Sequence, residues 1–193
     1  GTEKRYAVNG VILTNAAPGD VLQQLIFSGA GFCGYIGGSW YIYAGAYRTP
    51  TITLDESNLR GPISLQTKLS RKDSFNRVKG VFTSPDTDWQ PSDFPVVTNA
   101  TYKTADGEED IWRDVEYPFI TSSPMAQRVS KIALERVRQE ISVQLRCNLS
   151  AITVQAGDNI MVTNTRLGWT SKVFEVMNSK FVPEDQDGAL ALG

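Results

Sequence analysis

Apolar positions along the chain return with two different periods, and each period predicts its own kind of element. Between Ser123 and Gln139, Met125, Val129, Ile132, Ala133 and Val137 recur at helical spacing, with Arg128, Lys131, Glu135, Arg136 and Arg138 in other positions. That is one apolar helical face opposite a solvated, mostly basic one. Ser123-Pro124 supplies an N-cap and a first-position proline, so a helix is expected over residues 124–139. A second helix begins at Pro18, with Asp20 in its first turn and Val21, Leu22, Leu25 and Ile26 on one face. Gly29 and Gly31 follow it, and glycine supplies a left-handed cap without steric cost.

Elsewhere the pattern is that of strands. Residues 5–13 are expected to be extended, with β-branched and aromatic residues and one glycine. Gly37-Gly38 lies between Cys33–Ile36 and Ser39–Tyr43, which predicts a hairpin with Trp40 and Ile42 on one face. Further strands are expected over 63–68, 74–83, 110–117, 140–147, 158–164 and 171–182, with connections around Thr49-Pro50 and Asn58–Pro62. Within them, Phe75, Val78, Val81 and Phe82 are expected to anchor a strand pair, with Val129, Ile132 and Ala133 packing the helix against it. Residues 84–100 carry Pro85, Pro91, Pro95 and three aspartates and are expected to form a long surface loop. The polar, acidic stretch over 183–193 is expected to be a linker.

Composition narrows the range of functions. Hydrophobic residues make up 41% and charged residues 21%, the balance of a folded globular chain. A net charge of -2 provides no global field for nucleic acid or an anionic membrane, and no apolar run is long enough to span a bilayer. The opening Gly-Thr-Glu-Lys-Arg suggests a fragment of a longer protein. Cys33 and Cys147 have no metal-like spacing and are expected to be small buried hydrophobes. The chain has no histidine, which removes Ser-His-Asp and Cys-His catalysis and histidine-ligated zinc. Two glycosylation sequons, at Asn99 and Asn148, carry little weight without a secretory signal.

The remaining candidate chemistry is sparse. Gly29-Ala-Gly31-Phe-Cys-Gly34 matches the dinucleotide pattern, but here a helix precedes it and a strand follows, so no helix N-terminus meets a pyrophosphate. Asp106, Glu108, Glu109 and Asp110 lack the ligand order of a calcium loop and are expected to form a charged turn with Gly107 at its tip. A glycosidase pair would need two carboxylates about 5–9.5 Å apart, and Asp114 and Glu116 are the candidates. Trp89 stands apart from the other tryptophans. It lies in the Pro/Asp-rich stretch with Asp86, Asp88 and Asp93, and this quartet is the candidate exposed contact loop. A carbohydrate-binding β module built on it and a cell-wall hydrolase fragment are the two alternatives to a structural role.

Several segments carry a resemblance. They are Ala44–Arg48, Asn58–Gly61, Gln66–Gly80, Asp88–Pro95, Ala126–Arg128, Gly168–Thr170 and Phe174–Val176. In their order and spacing they resemble the tail-tip attachment (host-specificity) protein J group of lambda-like siphophages, within the phage tail hub family. The resemblance covers roughly residues 5–182. It implies an α+β fold, with a small βαββ module over 1–58 and a tail-tube-like antiparallel β-barrel with one packed helix over 59–182. It also implies a homotrimer in the virion that closes the tail tube, contacts other tail-tip and tail-tube proteins and leaves a channel for DNA. Assembly would take place in the bacterial host cytoplasm. The receptor-binding region of that family lies in later, C-terminal parts. The resemblance transfers no catalytic residue, cofactor or metal.

Overall fold

The computed structural model describes residues 3–67, 73–139, 141–182 and 189–193. In chain order the elements are α1 (Pro18–Ser28), β1 (Phe32–Ile36), β2 (Ser39–Tyr43), β3 (Ile52–Leu54), β4 (Ser64–Gln66), β5 (Arg77–Ser84), β6 (Gln90–Asp93), β7 (Val97–Thr98), α2 (Ala100–Ala105), β8 (Trp112–Tyr117), α3 (Ser123–Val137), β9 (Ser142–Cys147), β10 (Asn159–Asn164), β11 (Trp169–Glu175), β12 (Ser179–Val182) and β13 (Ala189–Leu192). The class is α+β, as expected. The contacts divide into two units, and each is built from two stretches of chain. Residues 3–32 join 73–139, and residues 33–67 join 141–182 and 189–193.

In the first unit β5 is the central strand. It pairs antiparallel with β6 near one end, through Val81–Ser84, and with β7 near the other, through Arg77 and Val78. On its other side it pairs in parallel with β8, from Arg77 opposite Trp112 to Phe82 opposite Tyr117. α3 covers this sheet with Met125, Ala126, Val129, Ser130 and Leu134, all buried. Phe82, Phe94, Tyr117 and Ile120 complete one cluster, and Phe75, Val78 and Leu134 form another. The apolar period thus located α3 correctly but drew its inward face too far round. Ser130 is buried because the Tyr117 hydroxyl lies 3.0 Å away and satisfies it. Ile132 and Ala133 are only partly buried, and Val81 is as well.

In the second unit β10 lies between β11, antiparallel, and β3, parallel. A separate sheet runs β12-β13-β9-β4, antiparallel throughout. Buried and half-buried positions alternate along β10, so Ile160 and Val162 point one way. They meet Leu54 from β3, Leu145 and Cys147 from β9, and Leu192 from β13 in one core. The β1–β2 hairpin forms as expected. Gly37 (φ 59°) and Gly38 (φ 86°) provide the two left-handed positions that such a turn requires.

Several expectations are corrected by these observations. Among the described residues the sheets contain two, three, four and four strands and do not close into a barrel. The pairing is mixed rather than purely antiparallel, because β3 and β8 both join in parallel. The division does not fall at residue 58, since β3 and β4 are recruited by β10 and β9 and so belong with the C-terminal strands. Residues 5–13 form no strand. The Asn9 N–H donates to the Phe119 carbonyl at 3.1 Å, and no ladder follows. The α1 cap is left-handed at Ala30 (φ 47°), not at Gly29 or Gly31. Ala30 N–H donates to Phe27 and Gly31 N–H to Ile26, the paired bonds of a Schellman end, and Arg136 holds the Ala30 carbonyl at 2.8 Å. The expected loop over 84–100 contains β6 and β7, and the expected strand over 171–182 is broken into β11 and β12. Residues 189–192 form β13 rather than a linker. Residues 183–188, Glu140 and 68–72, which include one end of each of two expected strands, lie outside the described residues.

Candidate functional site

Of the quartet singled out from the sequence, Asp86, Asp88 and Trp89 lie on one hairpin tip between β5 and β6, while Asp93 ends β6 opposite Val81. The tip is built on Ser84, itself buried. Its hydroxyl accepts from the Asp86 N–H at 3.3 Å, and its carbonyl accepts from the Trp89 N–H at 3.0 Å. The Thr87 hydroxyl lies within reach of the Ser84 carbonyl (3.3 Å) and of the Gln90 carbonyl (3.1 Å). Asp88 (φ 53°) and Trp89 (φ 63°) are both left-handed. A bulky residue in that region is a steric outlier costing on the order of 1–3 kcal/mol, sustained only by the surrounding frame. The result is a Trp89 58% exposed at the tip, close in sequence to exposed Asp86 and Asp88, with Asp93 exposed at the far end of β6. Pro91 fits in β6, where it faces Thr83, because among the described residues β6 pairs with β5 only and is an edge strand.

The second acidic group is structural. Asp106 caps the end of α2, and both its carboxylate oxygens take donors from the Arg138 guanidinium, one at 2.9 Å. The same carboxylate accepts from Asn76 Nδ2 at 2.7 Å. Asp110 pairs with Arg77 (2.9 Å) and Lys103 (3.0 Å), which hold its carboxyl below the usual range, the Lys103 hydrogen bond first. The turn therefore connects α2 to β8 and is stapled to β5 and α3. Gly107 (φ 76°) and Glu108 (φ 64°) make its tip. Asp114 and Glu116 are exposed along β8, and Asp114 faces Lys79 at 3.4 Å.

One arrangement could not be read from the sequence. Arg77 lies over the Trp112 ring at 5.1 Å while bound to Asp110, and Lys79 lies over the same ring at 5.5 Å while facing Asp114. Arg138 lies 5.0 Å from the Tyr102 ring while bound to Asp106. Three times, then, an aromatic face and an aspartate share one cation. The parallel register of β5 and β8 creates two of these sites, and no local motif encodes that register. The Tyr102 hydroxyl also donates to Glu135, which raises its pKa.

The cysteines differ in accessibility. Burial pushes the Cys147 thiol up to about 11, whereas Cys33 is only partly covered. At pH 8 a thiol of that acidity is about one part in a thousand thiolate. We therefore expect an alkylating reagent to modify Cys33 while Cys147 stays unlabelled until the chain unfolds, as read by peptide mass spectrometry. Labelling of Cys147 at the Cys33 rate in native protein would contradict its burial.

Comparison with known proteins adds the following. A family model described as "Putative phage tail protein" (Phage-tail_3) matches residues 32–178. No curated protein sequence matches the chain. Among solved structures, the chain is similar to a tail protein from Neisseria meningitidis MC58, with TM-score 0.63 and 15% identity over 94% of this chain and 55% of that one. It is similar to a chain in the virion of a native gene transfer agent particle, with TM-score 0.65 and 12% identity over 89% of this chain and 37% of that one. A 43 kDa tail protein of prophage MuSo2 from Shewanella oneidensis gives TM-score 0.61 and 11% identity over 94% and 55%. The chain thus spans about half or less of the length of these structures, and at such identities the likeness is one of fold. The family match extends over most of the chain, from β1 past the end of β11, and on that ground the chain belongs to this family of phage tail proteins.

Proposed function

We propose that the chain is a non-enzymatic part of the tail-tip hub, the assembly that closes the tail tube and carries the host-recognition region, of the host-specificity protein J type. The observation that carries this reading is the family match over residues 32–178, together with the ordered segments that resemble that group. In the assembled tip three copies surround a channel through which DNA passes without specific binding, in contact with other tail-tip and tail-tube proteins. The electrostatics are compatible with passage. Phosphate binding scales with the number of free Lys and Arg contacts, and the chain carries a net charge of -2. Two arginines of α3 are also engaged within the chain, Arg128 with the Arg5 carbonyl at 2.5 Å and Arg136 with that of Ala30. The non-enzymatic reading is supported by what the carboxylates do: Asp106 and Asp110 hold cations of the fold, and Asp114 faces Lys79.

Deleting the coding segment from a phage that carries it tests the role. The expected product is tails without a closed tip, and no infectious particles. Complete, closed tips in the deletion strain would refute it. In parallel, the purified chain should leave a peptidoglycan suspension turbid, and clearing would favour the hydrolase reading instead.

A further inference from the structure

We propose that the β5–β6 hairpin tip, led by Trp89, is a docking point for an arginine- or lysine-bearing segment of another protein. The inference starts from the tryptophans. Trp112 has Arg77 and Lys79 over its ring, Trp169 has Lys172 at 5.2 Å, and Trp40 packs against Tyr35 with centroids 5.0 Å apart. Trp89 has neither a ring nor a cation partner among the described residues, although its backbone is held in a strained, well-framed turn. An indole that merely filled space would not need a left-handed backbone to hold it outward.

Its surroundings identify the partner's chemistry. From Gly80 to Tyr102 the chain carries no lysine or arginine, and its only charges are Asp86, Asp88 and Asp93. Among the described residues none of the three is in an ion pair. Elsewhere in the same unit an aromatic ring and an aspartate together hold a cation at Arg77, Lys79 and Arg138. The tip carries the same two residue types, an exposed tryptophan and exposed aspartates, with no cation paired to them among the described residues. A cation from outside the chain completes it, through the ring face and a charge-assisted hydrogen bond to a carboxylate. Tryptophan is also the residue type most enriched where protein interfaces concentrate their binding energy. A neutral glycan would stack on the indole and donate hydroxyls to the carboxylates but would leave their charge unneutralised, so the net acidity of the segment favours a basic protein segment. This inference goes beyond the hub proposal and does not depend on it, because the tip can bind a cation whatever the symmetry of the assembled tail.

The test uses the whole chain and a blocked octapeptide of alternating glycine and arginine, with binding measured by calorimetry at low salt. Binding is expected for the parent protein and should weaken about tenfold in W89G, and by a similar factor in D86N/D88N/D93N. It should also weaken as salt is raised. W89G removes the left-handed strain, so its melting temperature should hold or rise. A structural role for the indole would lower it. The proposal is overturned if the peptide does not bind, or if either variant binds it as the parent does. It is also overturned if W89G melts lower, or if chitotetraose binds at the tip in a Trp89-dependent way and the peptide does not.

Discussion

Replacing Gly80 with alanine should cost about 3 kcal/mol or more, a large share of the roughly 5–15 kcal/mol that holds a typical domain together. Gly80 lies mid-strand in β5, directly opposite Val115 of β8 in the parallel register. A Cβ built there would lie 1.8 Å from the Val115 carbonyl oxygen and 2.8 Å from its carbon. The obstacle is backbone, which cannot rotate aside as a side chain can. Relief would require β8 to move away from β5, which loses ladder hydrogen bonds worth about 1 kcal/mol each and loosens the packing of Tyr117. Urea denaturation would measure the loss, with Gly19→Ala in the first turn of α1 as the control, since nothing lies within 4 Å of a Cβ there. The control should be neutral or slightly stabilising. A loss below about 1 kcal/mol for Gly80→Ala would mean that β8 does not lie against β5 in this register.

The second large effect is expected at Arg138. Its side chain is 8% exposed and that of Asp106 15%, so their ion pair is largely withdrawn from water. The guanidinium also donates to the Phe75 carbonyl from Nε (3.2 Å) and from a terminal nitrogen (3.0 Å). Asp106 is further tied to Asn76, which is fully buried, accepts from the Ile111 N–H at 3.0 Å and donates to the Glu109 carbonyl at 2.8 Å. One network thus joins the end of α3, the α2–β8 turn and the start of β5. Arg138→Met should cost about 3–5 kcal/mol, because it leaves a largely covered carboxylate and a carbonyl without their strongest partner. Adding Asp106→Leu should recover much of that loss, since an apolar pair avoids the uncompensated charge. Both measurements should change little between low and moderate salt, unlike a surface pair. If Arg138→Met costs under about 1 kcal/mol, as exposed pairs do, the network is solvated and the account of this corner is wrong.

These two residues also show where sequence reading stopped. The helix over 123–137 was legible because its apolar residues repeat at 3.6, and Pro124 marks its start. Arg138 was placed with the solvated basic positions, because a period cannot show that an arginine has a buried carboxylate waiting on another element. Ser130 was overlooked for the same reason, its partner being the Tyr117 hydroxyl on β8. The Gly37-Gly38 hairpin was legible because two adjacent left-handed positions leave glycine little competition. β6 was hidden by Pro91 and the surrounding aspartates, which signal turns, although an edge strand has no need of the missing N–H. β3 has only three residues, and its place depends on a parallel partner more than a hundred positions away in β10. Trp89 stands out in the sequence as a tryptophan among turn residues. That Trp89 and Asp88 are both left-handed, and that the other tryptophans have partners, only the structure shows.

The central claim is that three copies of this chain form a closed ring at the tip of a phage tail. Closed rings follow from head-to-tail contacts whose rotation completes a circle, and such assembly can cover sheet edges that are open in the single chain. A reconstruction of an intact tail tip containing the chain tests this most directly. We expect three copies around the axis, strands of neighbouring copies continuing one another, and a channel wall that is acidic or neutral. A sixfold or unclosed arrangement, or a wall dominated by Arg128, Lys131 and Arg136, would contradict it.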